Sequence, residues 1–108
     1  MHVIAKKLFN DAAKKYPNDK QALMDMYQVL KSTTFKTPEE LKAVFPSLDN
    51  FKYRDKWYVL DVGGNNLRVM AFVQFVNGRL YIKHIVNHAE YDRLTEKYRK
   101  EGERKKRR

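Results

Sequence analysis

A chain of 108 residues is long enough for one domain with a modest core and too short for two. Its 43% hydrophobic and 13% aromatic content excludes wholesale disorder, and the absence of cysteine excludes a disulfide framework or a thiolate metal site. A formal net charge of +10 favours an anionic partner such as RNA, DNA, the ribosome or an acidic protein; Lys97 to Arg108, with eight basic and two acidic residues, supplies +6 of it.

His2-Val3-Ile4 is a short β-prone start. The opening residues lack the apolar run of a signal peptide, and no apolar run approaches membrane-spanning length, so a soluble cytoplasmic protein with no membrane partner is expected. From Ala5 to Tyr16, apolar residues at Ala5, Leu8, Phe9, Ala12, Ala13 and Tyr16 follow helical spacing, with lysines on the far side. Pro17-Asn18-Asp19 breaks that helix, and a second runs from Lys20 to Lys31 with Leu23, Met26, Tyr27 and Leu30 on one face. The two make a hairpin whose apolar stripes need a sheet to cover. Thr37-Pro38-Glu39-Glu40 starts a short third helix, with a capping residue, proline at the first helical position and glutamate at the third. Phe45-Pro46-Ser47 ends it.

Strands follow. Phe51-Lys52-Tyr53-Arg54 reads as a strand turned by Asp55-Lys56 into Trp57 to Val62, with Phe51, Tyr53, Tyr58, Leu60 and Val62 toward the core. Gly63-Gly64-Asn65-Asn66 is a further turn. Leu67 to Tyr91 organises the rest: two strands folded back on each other at Asn77-Gly78, a strong hairpin signal. Alternation sends Leu67, Val69, Ala71, Val73 and Phe75 into the core and Arg68, Met70, Phe72 and Gln74 the other way. On the returning strand, Tyr81, Lys83 and Ile85 share one side and Leu80, Ile82 and Val86 the other. Asn87 can cap a last helix, with Glu90 three residues on, and the helix is expected to end near Lys100. His88 and Tyr91 then fall one turn apart on its face.

The expected fold is α+β: an antiparallel meander with an N-terminal helical hairpin packed on one face and a C-terminal helix, in a single domain over residues 1–100 followed by a basic tail, 101–108. The other sheet face is expected to stay open at least in part and to carry Lys52, Arg54, Arg68 and Lys83.

Two stretches carry a resemblance over nearly the whole chain. D-N-F-K-Y-R-D-K-W-Y-V-L-D-V-G-G-N-N-L-R-V and Y-I-K-H-I-V-N-H-A-E-Y-D, with G-G-N-x-x-R and H-x-E-Y-D at family spacing, resemble the HigB toxins of the RelE/ParE superfamily. The resemblance implies a RelE-like fold and an mRNA interferase that enters the ribosomal A site and cleaves the translated message. It implies a HigA-type antitoxin with a helix-turn-helix domain, the pair reaching operator DNA together. Arg68 matches the family's strand arginine, His88 and Tyr91 its terminal histidine and tyrosine, and Lys83 stands where related sequences have arginine or lysine. Those four are the catalytic candidates; Lys52, Arg54 and Lys56 match a basic segment and are the RNA-binding candidates. His84 is not required by the motif.

Cleaving RNA without a metal means taking a proton from the 2′-hydroxyl, giving one to the 5′-oxygen and stabilising charge on phosphorus. Histidine, with an ordinary pKa near 6.5, suits the proton transfer. Arginine offers a planar fork to phosphate oxygens and lysine a point charge. Tyr91 can stack on a base or donate a proton. His2, His84 and His88 have no carboxylates at ligand spacing, so no metal or other cofactor is expected.

Each residue also has a plain structural role open to it. Arg68 can pair with Asp61 on the neighbouring strand, Tyr91 can pack, and the lysines can form a solvated face. Two other functions compete: a non-catalytic basic module that binds RNA or the ribosome, and a gyrase poison of the ParE branch. The His88/Tyr91 pair favours the nuclease, since a pure binder needs no proton-transfer group.

Overall fold

Helical spacing at the N-terminal end produces the hairpin it predicts. In the computed structural model, which describes residues 1–106, β1 (His2–Ile4) is followed by α1 (Lys6–Lys15) and α2 (Lys20–Ser32). A single 3-10 turn, Pro17–Asp19, joins the helices. Helix α1 buries Phe9, Ala12 and Ala13, and α2 buries Leu23, Met26 and Leu30. Phe9 meets Tyr27 edge to face at 5.5 Å between ring centroids. The short α3 (Pro38–Val44) starts where its signals place it. The Thr37 hydroxyl accepts from the Glu40 N–H at 3.2 Å, and the Glu40 carboxylate reaches back to the Lys36 N–H at 2.9 Å.

The sheet comprises β2 (Asp49–Asn50), β3 (Trp57–Val62), β4 (Leu67–Gln74) and β5 (Arg79–Asn87), in the order β1-β5-β4-β3-β2. Strand β1 pairs in parallel with β5, Val3 opposite Leu80, and the other pairings are antiparallel, so the sheet is mixed at its β1 edge. The α+β architecture, the hairpin on one face and the C-terminal helix are as expected. Leu60, Val62, Leu67, Val69, Ala71, Val73, Leu80 and Ile82 close the face against α1 and α2. Each large apolar side chain buried this way is worth about 1.5–3 kcal/mol.

Local readings shift at four places. The turn between β4 and β5 spans Phe75 to Gly78, closed by the Gly78 N–H on the Phe75 carbonyl at 3.3 Å, rather than the two residues Asn77-Gly78 alone. Phe51 to Lys56 is a turn-rich loop and not a strand. The Phe51 N–H bonds the Trp57 carbonyl at 2.9 Å, and Lys56 takes a left-handed φ of 61°. That loop turns Phe51 away from the hairpin-side core and takes Lys52 and Arg54 off the sheet. A β-bulge then breaks the alternation of β5. Ala71 opposes Ile82 but Met70 opposes His84, leaving Lys83 as the extra residue. Past it the faces exchange: Ile85 pairs with Val69 on the core side, while His84 and Val86 face the other way.

The fourth difference is the largest. Helix α4 (His88–Lys106) continues beyond Lys100, so the expected tail begins as helix, and residues 107–108 lie outside the described residues. Its side chains cover the centre of the face expected to be open. Phe51, Val59 and Met70 form a second core there, with Tyr53, Trp57, Tyr91, Leu94 and Tyr98 packed against it. The cations rim that core instead of lining an open sheet. Among the described residues no helix is long and apolar enough to cross a membrane.

Candidate active site

Register puts the first pair of polar groups together. Asp61 on β3 stands directly opposite Arg68 on β4, and its carboxylate lies 3.4 Å from the guanidinium. The structural partnership open to Arg68 is therefore real, and it leaves most of the guanidinium free for other work. Arg68 lies 4.8 Å over the Tyr91 ring, within cation–π range. Its Nη2 is 3.5 Å from Nδ1 of His88. Its Nε is buried with no hydrogen-bond partner among the described residues. An unpaired buried donor costs about 1–3 kcal/mol and calls for an explanation, which a site gives.

His88 and Tyr91 are delivered by the start of α4. Asn87 caps the helix, its side-chain oxygen accepting from the Glu90 N–H at 3.0 Å. That fixes the first turn and sets His88 and Tyr91 on one face above Arg68. The Tyr91 ring is braced edge-on by Phe51 at 6.4 Å.

The β3–β4 turn supplies the last part. Gly63, Gly64 and Asn65 have φ of 66°, 65° and 111°, three successive residues in conformations that glycine accepts freely and asparagine better than most. This path aims the Asn65 carbonyl at His88, whose Nε2 lies 2.6 Å away. A carbonyl only accepts, so Nε2 carries the hydrogen, and in the neutral imidazole Nδ1 keeps its lone pair. That lone pair faces the arginine. A cationic fork and an imidazole nitrogen thus meet at one exposed spot, beside a phenol ring.

Arg68, His88 and Tyr91 converge; the other four candidates stand elsewhere. Lys83 is exposed at the bulge, its ammonium 6.0 Å from the ring centroids of Trp57 and Tyr81. Lys52 lies 5.1 Å over the Tyr53 ring. Arg54 is ion-paired to Glu101 and stacked 4.5 Å over Tyr98, which makes it a clamp on α4. Lys56 is exposed at its turn, and its carbonyl accepts from the Val73 N–H at 3.0 Å.

Three contributors to the two polar clusters are not among the seven candidates: Asp61 as the arginine's anchor, the carbonyl of Asn65, which is the asparagine of G-G-N-x-x-R, and His84. His84 Nε2 lies 2.9 Å from the Tyr98 hydroxyl, with Trp57 beside it at 6.4 Å. Burial lowers the His84 pKa, and the charges of Lys97 and Lys83 lower it further. Burial raises the Tyr98 phenol, with Arg54 opposing and Glu101 adding to the rise. This pair is held neutral and serves to dock α4. Among the described residues, no group of three or more His, Cys, Asp or Glu is placed to hold a metal ion.

Comparison with known proteins places this geometry in a lineage. The family model for HigB toxins, described as the RelE-like toxic component of a toxin-antitoxin system, matches residues 19–94. The chain belongs to the HigB toxin family. It is 62% identical over 103 residues to the mRNA interferase HigB of Escherichia coli O6:H1 (strain CFT073), covering 95% of this chain and all of that protein. It is 50% identical over 104 residues to the mRNA interferase toxin HigB of Escherichia coli K12 and to the mRNA interferase HigB of Shigella flexneri, covering 96% of this chain and all of each relative. The stretch matched by the HigB model encloses Asp61, Arg68, His88 and Tyr91, and it opens at Asp19.

Proposed function

We propose that this HigB family member is an endoribonuclease that cleaves translated mRNA at the ribosome, through attack of a 2′-hydroxyl on the adjacent phosphate. The convergence of Arg68, His88 and Tyr91, with Nδ1 of His88 3.5 Å from the guanidinium, carries the reading. A phosphodiester bound by the arginine fork would lie beside a proton-transfer group. The 2′-oxygen loses its proton and bonds to phosphorus. The bond from phosphorus to the 5′-oxygen then breaks and that oxygen takes up one proton, balancing the one lost from the 2′-hydroxyl and leaving a 2′,3′-cyclic phosphate and a 5′-hydroxyl.

His88 handles a proton through Nδ1, and Arg68 stabilises the charge gathering on the phosphoryl oxygens. Tyr91 backs the guanidinium and offers a ring to a neighbouring base. In this mechanism side chains supply both the proton transfer and the charge stabilisation, so no metal is required. Lys83, Lys52 and Lys56 would contact the RNA backbone away from the scissile bond, and Arg54 would do so only by giving up Glu101. The partner that restrains the toxin is a HigA-type helix-turn-helix antitoxin, the pair contacting operator DNA through the antitoxin. The setting is cytoplasmic, and residues 1–100 form the toxin domain.

Primer extension on translated and untranslated messages after induction tests cleavage and ribosome dependence together. Cuts confined to translated RNA are expected, and cuts in both would remove the ribosome from the account. His88→Ala and Tyr91→Ala are expected to abolish growth arrest while ribosome association persists. Full toxicity of both variants would leave a basic binding module or a gyrase poison as the better reading.

A further inference from the structure

Asp19 stands at the N-cap position of α2, the place where an aspartate ordinarily accepts from the helix's first N–H groups, yet its side chain makes no capping hydrogen bond. It turns instead toward the β3–β4 loop. Its Oδ1 accepts from Nδ2 of Asn66 at 3.2 Å, and its carboxylate fills the space where a Cβ on Gly63 would stand. The loop is thus gripped at both ends, and between the gripped residues lies Asn65. An asparagine at φ 111° is in a sparsely populated conformation, which persists only where surrounding structure imposes it. The imposed result is the direction of the Asn65 carbonyl, which holds His88 at 2.6 Å.

We infer that Asp19 is a positioning residue for His88, acting through the Gly63–Asn66 turn to aim the Asn65 carbonyl and so present Nδ1 of the imidazole to the scissile phosphate. The inference rests on the catalytic reading of His88. It explains why the α1–α2 hairpin forgoes a cap at its tip, and why glycine is required at position 63. It also ties the helical layer to the chemistry: α1 and α2 touch no reacting group, yet the tip between them governs where the imidazole sits. A misplacement of about 1 Å in a proton-transfer group can cost on the order of a hundredfold in rate.

The test uses the full chain cleaving a translated message on purified ribosomes, with nitrogen-15 spectra of the His88 ring recorded on the free protein. Asp19→Ala is expected to lower kcat by about ten- to a hundredfold with KM little changed. Its His88 nitrogens should move from one pyrrole-like and one pyridine-like resonance toward an averaged pair. Asp19→Asn keeps an oxygen at the same place and should restore both rate and spectrum. Asp19→Ser can cap α2 without reaching Asn66, so its melting temperature should match or exceed the parent's while the rate stays low. A normal rate in Asp19→Ala, or a slow one with an unchanged His88 spectrum, would overturn the inference. His88→Ala in the same assay separates the two claims, since full activity there removes the catalytic reading while the spectra still report whether Asp19 holds the ring.

Discussion

The two faces of the sheet are closed by different materials. Under α1 and α2 the filling is aliphatic with a few rings: Phe9, Leu23, Leu30, Leu60, Leu67, Val69 and Leu80 are all at most 1% exposed, and among the described residues no charged side chain is buried on this side. Under α4 the filling is aromatic, with Phe51 and Met70 at the centre and Trp57, Tyr91 and Tyr98 around them. Dispersion and burial are indifferent to direction, so the first face contributes stability without orienting a charged side chain. Ring faces are not indifferent. They hold Arg54 and Arg68 at 4.5 and 4.8 Å, keeping cations half-buried and oriented where an aliphatic wall would expel them. Aromatic closure is what lets this face carry the candidate site.

Truncation should separate the two faces most sharply. Leu23→Ala, which empties a fully buried position on the hairpin side, is expected to cost about 2–5 kcal/mol, a large share of the stability of a domain this size. Urea unfolding followed by far-UV circular dichroism reads it directly. On the α4 side, Arg68→Ala is expected to leave the unfolding free energy within about 1 kcal/mol of the parent, because its pair with Asp61 is partly exposed. Cleavage should instead fall about a hundredfold to a thousandfold, the scale of losing one charge-stabilising contact. The contrast between the faces breaks if Arg68→Ala unfolds the protein or leaves cleavage untouched.

The first face was legible because its signals are local. Helical spacing, the Thr37 cap and the alternation of β4 each depend on residues within a few positions of one another. The second face depends on pairings that no window of sequence contains. Phe-Lys-Tyr-Arg alternates like a strand, and only the return bond from Phe51 to Trp57 makes it a loop. The bulge at Lys83 is a property of two strands together. One signal was available: Tyr91, Leu94 and Tyr98 recur at helical spacing on α4 and already implied an apolar surface to meet them. Within the candidate site, the convergence of Arg68, His88 and Tyr91 was foreshadowed by motif spacing, whereas the proposed role of Asp19 and Asn65 runs through a carbonyl's direction, which side-chain chemistry does not encode.

The smallest expected effect sharpens the comparison from the α4 side. His84 faces Trp57 and Tyr98, with Lys97 of α4 and Lys83 of β5 beside it, and burial first, then those two charges, lower its pKa. The unfolded chain therefore binds this proton more readily than the folded one. The stability contributed at neutral pH is intact above the ordinary histidine value of about 6.5 and declines as pH falls below it toward the lower folded value. Urea midpoints at pH 7.5 and 5.5 should show the parent weakening on acidification more than His84→Gln, which has no proton to gain and can still meet the Tyr98 hydroxyl. His2 and His88 are present in both proteins, so the difference between the two isolates His84. The helical-hairpin core holds no histidine, so none of this acid sensitivity originates on that side. An equal slope in both proteins would mean that protonated His84 is accommodated without loosening α4, and that the aromatic face tolerates charge even at its centre.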